Sequence, residues 1–372
     1  MPLVSGGCAI STDRDAALHD APASAPDAPA SAPDAPAPRD VGARDVPAVP
    51  DTPDAPTAVL PTHLVILYWP SWLTGWDAAR TADGFEMRGS LAALPTADMR
   101  LLTGLAASPA EPIEDTHADV PPSLWTGAAM QPAPGAMRFA LHPSIDAVVA
   151  RRYAESPLYL RIGVRPVDVY APPMSWLEAL EPSPVTVDAT AAAALAPCSA
   201  TALPTSLEAA HSFEQMTSAA STALALIAES FEGGCRHTAA LELGGTGTQF
   251  GDRRINDIMH EDSHPEADAV TAALAGWVAD ELARLASAGA LDDTLVILTT
   301  QVGGSEPLIH DYNALPIFMW SRAPSFSPGW TESTRRPVRD WLHTVALAFG
   351  VDAPFAAEGE PGGAVIDEVF SR

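Results

Sequence analysis

Lysine is absent from all 372 residues, so the 20 basic residues are all arginine. That absence excludes a Walker-type phosphate loop, which needs a lysine on the phosphates. It also excludes Schiff-base chemistry, which needs a lysine amine. No nucleotide cofactor is expected. Clustered cations are missing as well, and the net charge is -27. Nucleic acid and anionic membrane surfaces are therefore not expected partners, since both select basic patches. No run of 18 apolar residues occurs, which excludes a transmembrane helix of ordinary length. The three cysteines, Cys8, Cys198 and Cys235, form no C-x-x-C pair, so neither a zinc ribbon nor a redox motif is expected. Cys198 and Cys235 could pair in an oxidising compartment or remain two thiols.

What is present falls into two parts. Residues 11 to about 58 are rich in Ala, Pro and Asp, with SAPDAPA occurring twice and nine Asp against three Arg. Such a composition cannot build a core and predicts a solvated, disordered spacer over residues 1–60. The first ten residues lack a charged and apolar leader. Leu3-Val4-Ser5-Gly6-Gly7-Cys8 is similar to the end of a lipoprotein signal, which would make Cys8 a lipid anchor to the envelope. A single α/β domain is expected over residues 61–372, because 47% of the chain is hydrophobic.

Within that domain, short apolar runs alternate with helical patterns. Leu64–Trp69, Met99–Leu105, Leu158–Val164, His237–Leu243, Thr294–Thr300 and Leu315–Trp320 read as strands. Helices are expected after Ser144, over Leu207–Phe231, from Pro265 to about Ala288, and over Pro337–Phe349. A Pro/Ala-rich excursion is expected near residues 171–204. This alternation predicts a mostly parallel sheet with helices on both faces. The Trp-rich loop Pro70–Trp76 reads either as a binding lip or as a cover over the sheet edge.

In an open parallel sheet, the loops at the carboxyl ends of the strands converge on one edge. Three such loops carry histidine beside carboxylates. One holds Asp115, His117 and Asp119. The second is a polar loop running from Gly244 to His260, Asp262 and His264. The third, after the Thr294 strand, holds Gln301, His310, Asp311 and Asn313. Histidine and carboxylate together suit zinc, manganese or iron. The spacing His260-Glu261-Asp262-Ser263-His264 does not make a zincin, because that motif needs one helix and Pro265 disfavours helical geometry at His264.

Several motifs, taken in order, resemble a known family. They are Ser144-Ile145-Asp146, Leu160–Val164, Leu241-Glu242-Leu243-Gly244-Gly245, His260 with Ser263-His264, Leu291–Val296, and His310–Asn313 with Leu315-Pro316. Together they resemble the uncharacterised secreted bacterial proteins of domain of unknown function 1552, relatives of the alkaline phosphatase and sulfatase superfamily. The resemblance implies an alkaline-phosphatase-like fold and export from the cytoplasm; the cofactor expected from the histidines is a divalent metal (zinc, manganese or calcium). Two departures stand out. Gln301 occupies a position where a Glu is usual, and the first strand ends in Leu67-Tyr68-Trp69-Pro70 without a metal-binding acid. Ser71 and Thr74 are the positional candidates for a nucleophile.

Two functions are therefore expected. One is an exported, metal-assisted hydrolase of phosphate or sulfate esters. Its metal ligands would be His260, His264 and His310, supported by His117, Asp262, Asp311, Asn313 and Gln301. The other is a surface or periplasmic binding protein that keeps the fold without the chemistry.

Overall fold

Seven consecutive buried residues, HLVILYW, form strand β1 at His63–Trp69. A strand with no exposed side chain must be covered on both faces, and the rest of the fold follows from this. The structure, a computed structural model, describes residues 59–107, 120, 123–127, 130–132, 138–140, 143–155, 158–163, 207, 210–244, 247–260, 264–301, 314–351 and 363–371. These residues all belong to one compact unit, Ala55–Arg372. The expected spacer and the excursion near 171–204 lie outside the described residues.

After β1 come the hairpin strands β2 (Trp76–Thr81) and β3 (Gly84–Gly89), then β4 (Met99–Ala106), β5 (Met130–Pro132) and β6 (Arg138–Ala140). Helix α1 (Ile145–Arg152) leads to β7 (Tyr159–Ile162), and α2 (Phe213–Glu232) leads to β8 (Thr238–Leu243). Two short strands, β9 (Gln249–Phe250) and β10 (Arg253–Arg254), precede α3 (Ile255–His260) and α4 (His264–Ser287). Strands β11 (Thr294–Thr300), β12 (Leu315–Trp320) and β13 (Gly329–Pro337) and helix α5 (Val338–Ala348) complete the order.

Seven strands pair in the order β13-β4-β12-β11-β1-β8-β7. All run parallel except β12, which is antiparallel to both β11 and β4. The mostly parallel sheet expected from the sequence is thus present, with helices on both faces. Strand alternation divides the core. Val65, Leu67 and Trp69 of β1 pack with α2 and α4, whereas Leu64, Ile66 and Tyr68 pack with α1 and α5. The same division runs through β11, with Val296 and Leu298 on the first side and Leu295 and Ile297 on the second. This is the period-two geometry of a strand read through two hydrophobic layers.

Three elements differ from the sequence reading, each for a local reason. The helix expected from Leu207 begins at Phe213, because Ser212 and Gln215 form a capping box that fixes the first turn there. The stretch read as a polar loop before His260 contains α3, whose Ile255, Ile258 and Met259 bury one face. Strand β13 carries the polar sequence GWTESTRRP, which gave no apolar signal, and it lies at the sheet edge paired to β4.

The β13 edge is tied to the carboxyl-terminal segment by Arg100 of β4, which is buried. Its guanidinium donates to Ser327 O at 2.7 Å, Thr331 Oγ1 at 3.1 Å, Pro328 O at 3.2 Å and Glu368 O at 2.5 Å. Four acceptors satisfy a cation that burial would otherwise penalise. Replacement Arg100→Met leaves buried carbonyls without a donor and should cost about 3 kcal/mol in a urea titration. An unchanged denaturation midpoint would contradict this role.

Candidate functional site

The carboxyl ends of β1, β8 and β11 meet at one edge, held together mainly through backbone bonds. Trp69 O and Ser71 O both accept from the Gln301 N–H, at 3.1 and 3.0 Å. Ser71 N–H donates back to Trp69 O at 2.8 Å. Both backbone polar groups of Ser71 are thereby engaged, so the turn after β1 is fixed by the end of β11. On the other side, Gly244 N–H donates to Ile162 O at 2.7 Å, fixing the end of β8 to β7.

A small pocket of about 20 Å³ opens here, lined by Trp69, Pro70, Ser71, Leu243, Gly244, Ile255 and Asn256. That is room for roughly one water molecule. Gly244 is required by its backbone, with φ at 79°. A Cβ there would lie 3.0 Å from Met216 Sδ and 3.5 Å from the Trp69 ring. Glycine thus lets the chain turn away from β8 without filling the space beside the pocket.

His260 closes α3. Its Nδ1 lies 2.7 Å from Asn256 O, and since a carbonyl can only accept, the neutral ring carries its proton on Nδ1. Nε2 is then the acceptor nitrogen of the neutral ring. The ring sits edge-on to Trp72, with centroids 4.9 Å apart. Trp72 accepts, through its carbonyl, the Trp69 indole N–H at 3.3 Å. One aromatic chain therefore runs from the end of β1 to His260. Trp72 is buried, and Trp76 packs edge-on against Phe318 at 5.8 Å while donating to Leu73 O at 3.1 Å. The Trp-rich loop covers the sheet and does not form a lip.

The other expected site residues fall as follows. Gln301 is buried and joined to the turn after β1 through its backbone. His264 is the first residue of α4, so Pro265 does not keep it out of the helix as expected, and α3, which ends at His260, is a separate helix. Thr74 is corrected as a candidate nucleophile. It has no exposed surface, its N–H donates to Thr271 Oγ1 at 3.1 Å, and the two hydroxyls lie 3.4 Å apart. It ties the loop to α4. His117, Asp115, Asp119, Asp262, His310, Asp311 and Asn313 lie outside the described residues. Among the described residues no three His, Cys, Asp or Glu side chains form a metal centre. The donor chemistry of His260 fits one arm of such a centre. Because β12 runs antiparallel to β11, β12 starts at the edge where β11 ends.

On the opposite face of the edge, the structure assembles a group that the sequence reading quoted only as motif. Tyr68, Glu242 and Arg161 are register partners across β1, β8 and β7. Glu242 is only 1% exposed; the Tyr159 hydroxyl donates to its Oε2, and Arg161 Nε lies 3.7 Å from that oxygen. A glutamate inside an apolar strand and an arginine inside the next were the available signal. A buried carboxylate that loses its compensation is costly, and so is the cation left behind.

Neither a family model nor a curated protein matches the chain, so the resemblance to domain of unknown function 1552 rests on its motifs alone. Several solved structures are similar. The lipoteichoic acid synthase LtaP from Listeria monocytogenes is 13% identical with a TM-score of 0.46, covering 78% of this chain and 72% of its own. The PsFucS1 sulfatase from Pseudoalteromonas sp. is 13% identical with a TM-score of 0.44, covering 78% and 68%. The alkaline phosphatase from the Antarctic bacterium TAB5 is 11% identical with a TM-score of 0.41, covering 80% and 100%. At these scores the likeness carries no argument about activity.

The buried pair makes a graded prediction. Glu242→Ala should lower stability by about 3 kcal/mol, whereas Tyr159→Phe should cost about 1 kcal/mol. Equal effects in denaturant titrations would show that the Arg161 contact adds nothing beyond the Tyr159 hydrogen bond.

Proposed function

We propose that the chain is a metal-assisted hydrolase of phosphate or sulfate esters, built on an alkaline-phosphatase-like α/β fold and working outside the cytoplasm. One observation carries the reading: Ser71 lines a water-sized pocket at the carboxyl edge of the central strand, on a turn locked by Gln301. This is where open α/β sheets bind ligands.

In this reading Ser71 is the nucleophile: its oxygen bonds the phosphorus or sulfur as the ester P–O or S–O bond breaks, the alcohol leaves with the serine proton, and water then releases phosphate or sulfate and restores the hydroxyl. The locked turn holds that oxygen in place without ordering cost at the moment of reaction. Asn256 on the pocket wall hydrogen-bonds the substrate. A divalent ion such as zinc, manganese or calcium would supply Lewis acidity when bound. His260, His264 and His310 would hold it, with His117, Asp262, Asp311, Asn313 and Gln301 in support. Gln301 contributes no charge, so this site is less anionic than one with a glutamate there. Cys235 is disulfide-bonded, which supports an oxidising compartment, and Cys8 is the proposed envelope anchor.

A second reading, a binding protein without chemistry, is favoured by Gln301 and by the missing acid at Leu67–Pro70. Hydrolysis of p-nitrophenyl phosphate and p-nitrophenyl sulfate by the metal-loaded protein separates the two. The hydrolase should turn over at least one of them, and Ser71→Ala should lower the rate about a thousandfold or more with the fold unchanged. Turnover that survives Ser71→Ala removes Ser71 from the mechanism; no turnover with either ester favours the binding protein.

A further inference from the structure

At the amino-terminal edge of the sheet, opposite the candidate site, four aromatic rings stack in a column. His63, the first residue of β1, lies on Phe231 of α2, with centroids 4.5 Å apart and planes at 11°. Its other neighbour is His237, just before β8, at 5.4 Å and 17°. Tyr153, after α1, covers the far side of His237 at 3.8 Å and 2°. The backbone reinforces the column, for Thr62 N–H and His63 N–H donate to Asp293 O at 2.8 and 3.1 Å and Leu64 N–H donates to His237 O at 2.8 Å. The starts of β1, β8 and β11, the end of α2 and the turn after α1 are thus joined at two histidines.

The charged groups around these rings are unequally placed. Glu155 is committed to His237, with its Oε1 2.5 Å from Nδ1 and its Oε2 accepting the His237 N–H at 3.1 Å. Ala154, with φ at 57°, is the one non-glycine residue with positive φ among the described residues, and it turns the chain between Tyr153 and Glu155. A non-glycine residue held there marks a turn fixed by its surroundings. Asp293 faces His63 with Oδ2 3.4 Å from Nδ1, but its side chain is 51% exposed and so partly screened. Among the described residues no three donors converge here as a metal centre would need.

We propose that the stacked pair His63–His237 is a proton-sensitive brace, closed while His63 is neutral and loosened when acid charges it against His237. Burial holds His63 below its ordinary value; Asp293 and Glu155 oppose that shift and His237 adds to it. The sign follows. The folded chain binds fewer protons at His63 than the unfolded chain does, so stability rises with pH. The brace is fully effective above about 6.5, the ordinary histidine value, and is lost as pH falls from there toward the lower folded value. The strands it joins are those that carry the candidate site, since β1 links His63 to Ser71 and β8 links His237 to Gly244.

The test is urea denaturation of the full chain at intervals from pH 8 to pH 5, for the natural protein and for His63→Phe, which keeps a ring in the stack and cannot titrate. The natural protein should lose stability on acidification more steeply than the variant, by up to one proton's worth, a factor of about ten in the unfolding constant per pH unit. Identical pH profiles would overturn the proposal. If His63→Phe does not fold, NMR titration of the histidine ring protons in the natural protein decides, with His63 recognised by its contact with Phe231. His63 should titrate below its ordinary value and shift the His237 signal as it does so. Titration at or above the ordinary value, or no response at His237, overturns the proposal.

Discussion

Because every side chain of β1 from His63 to Trp69 is withdrawn from water, neither face of that strand can be left bare, and helices have to cover both. The strand's alternation sends Val65, Leu67 and Trp69 toward α2 and α4, and Leu64, Ile66 and Tyr68 toward α1 and α5. Each face gains the burial of large apolar groups, roughly 2 kcal/mol for each one fully removed from water. The parallel pairing of β1 with β8 and β11 then places three strand ends at one edge and three strand starts at the other. The two edges are occupied by different chemistry for that reason.

At the carboxyl edge, the backbone is held more firmly than the side chains. Gln301 N–H serves two carbonyls of the turn after β1, and Gly244 N–H serves Ile162. Such bonds fix where Ser71 and Asn256 face the pocket whichever ligand enters. At the amino edge, side-chain rings and carboxylates add to the backbone bonds, and two of those rings are histidines. The candidate site and the proposed proton-sensitive brace thus stand at opposite ends of the same strands.

Much of the sheet was legible because buried strands announce themselves as unbroken apolar runs. Leu64–Trp69, Thr294–Thr300 and Leu315–Trp320 each fall on a strand. What escaped was written in weaker signals. The polar edge strand β13 buries too little to show a pattern, and α3 is too short for periodicity to separate it from a loop. At the site, Ser71 and Thr74 were indistinguishable in sequence, since both are hydroxyls in a loop after a strand. Only packing separates them, with Thr74 sealed against Thr271 and Ser71 at a pocket wall. Glu242 was visible as a residue and not as a buried pair, because its partner Arg161 lies on another strand. The column of His63 and His237 needed three-dimensional register for the same reason.

The central claim is that the carboxyl edge holds a divalent metal with His260 as one ligand. The most direct measurement is the metal content of the purified chain after loading with zinc, manganese or calcium and removal of excess ion, compared with His260→Ala. About one ion per chain or more, falling sharply in the variant, is the predicted result. Less than about one tenth of an ion per chain, or equal retention by the variant, would contradict it.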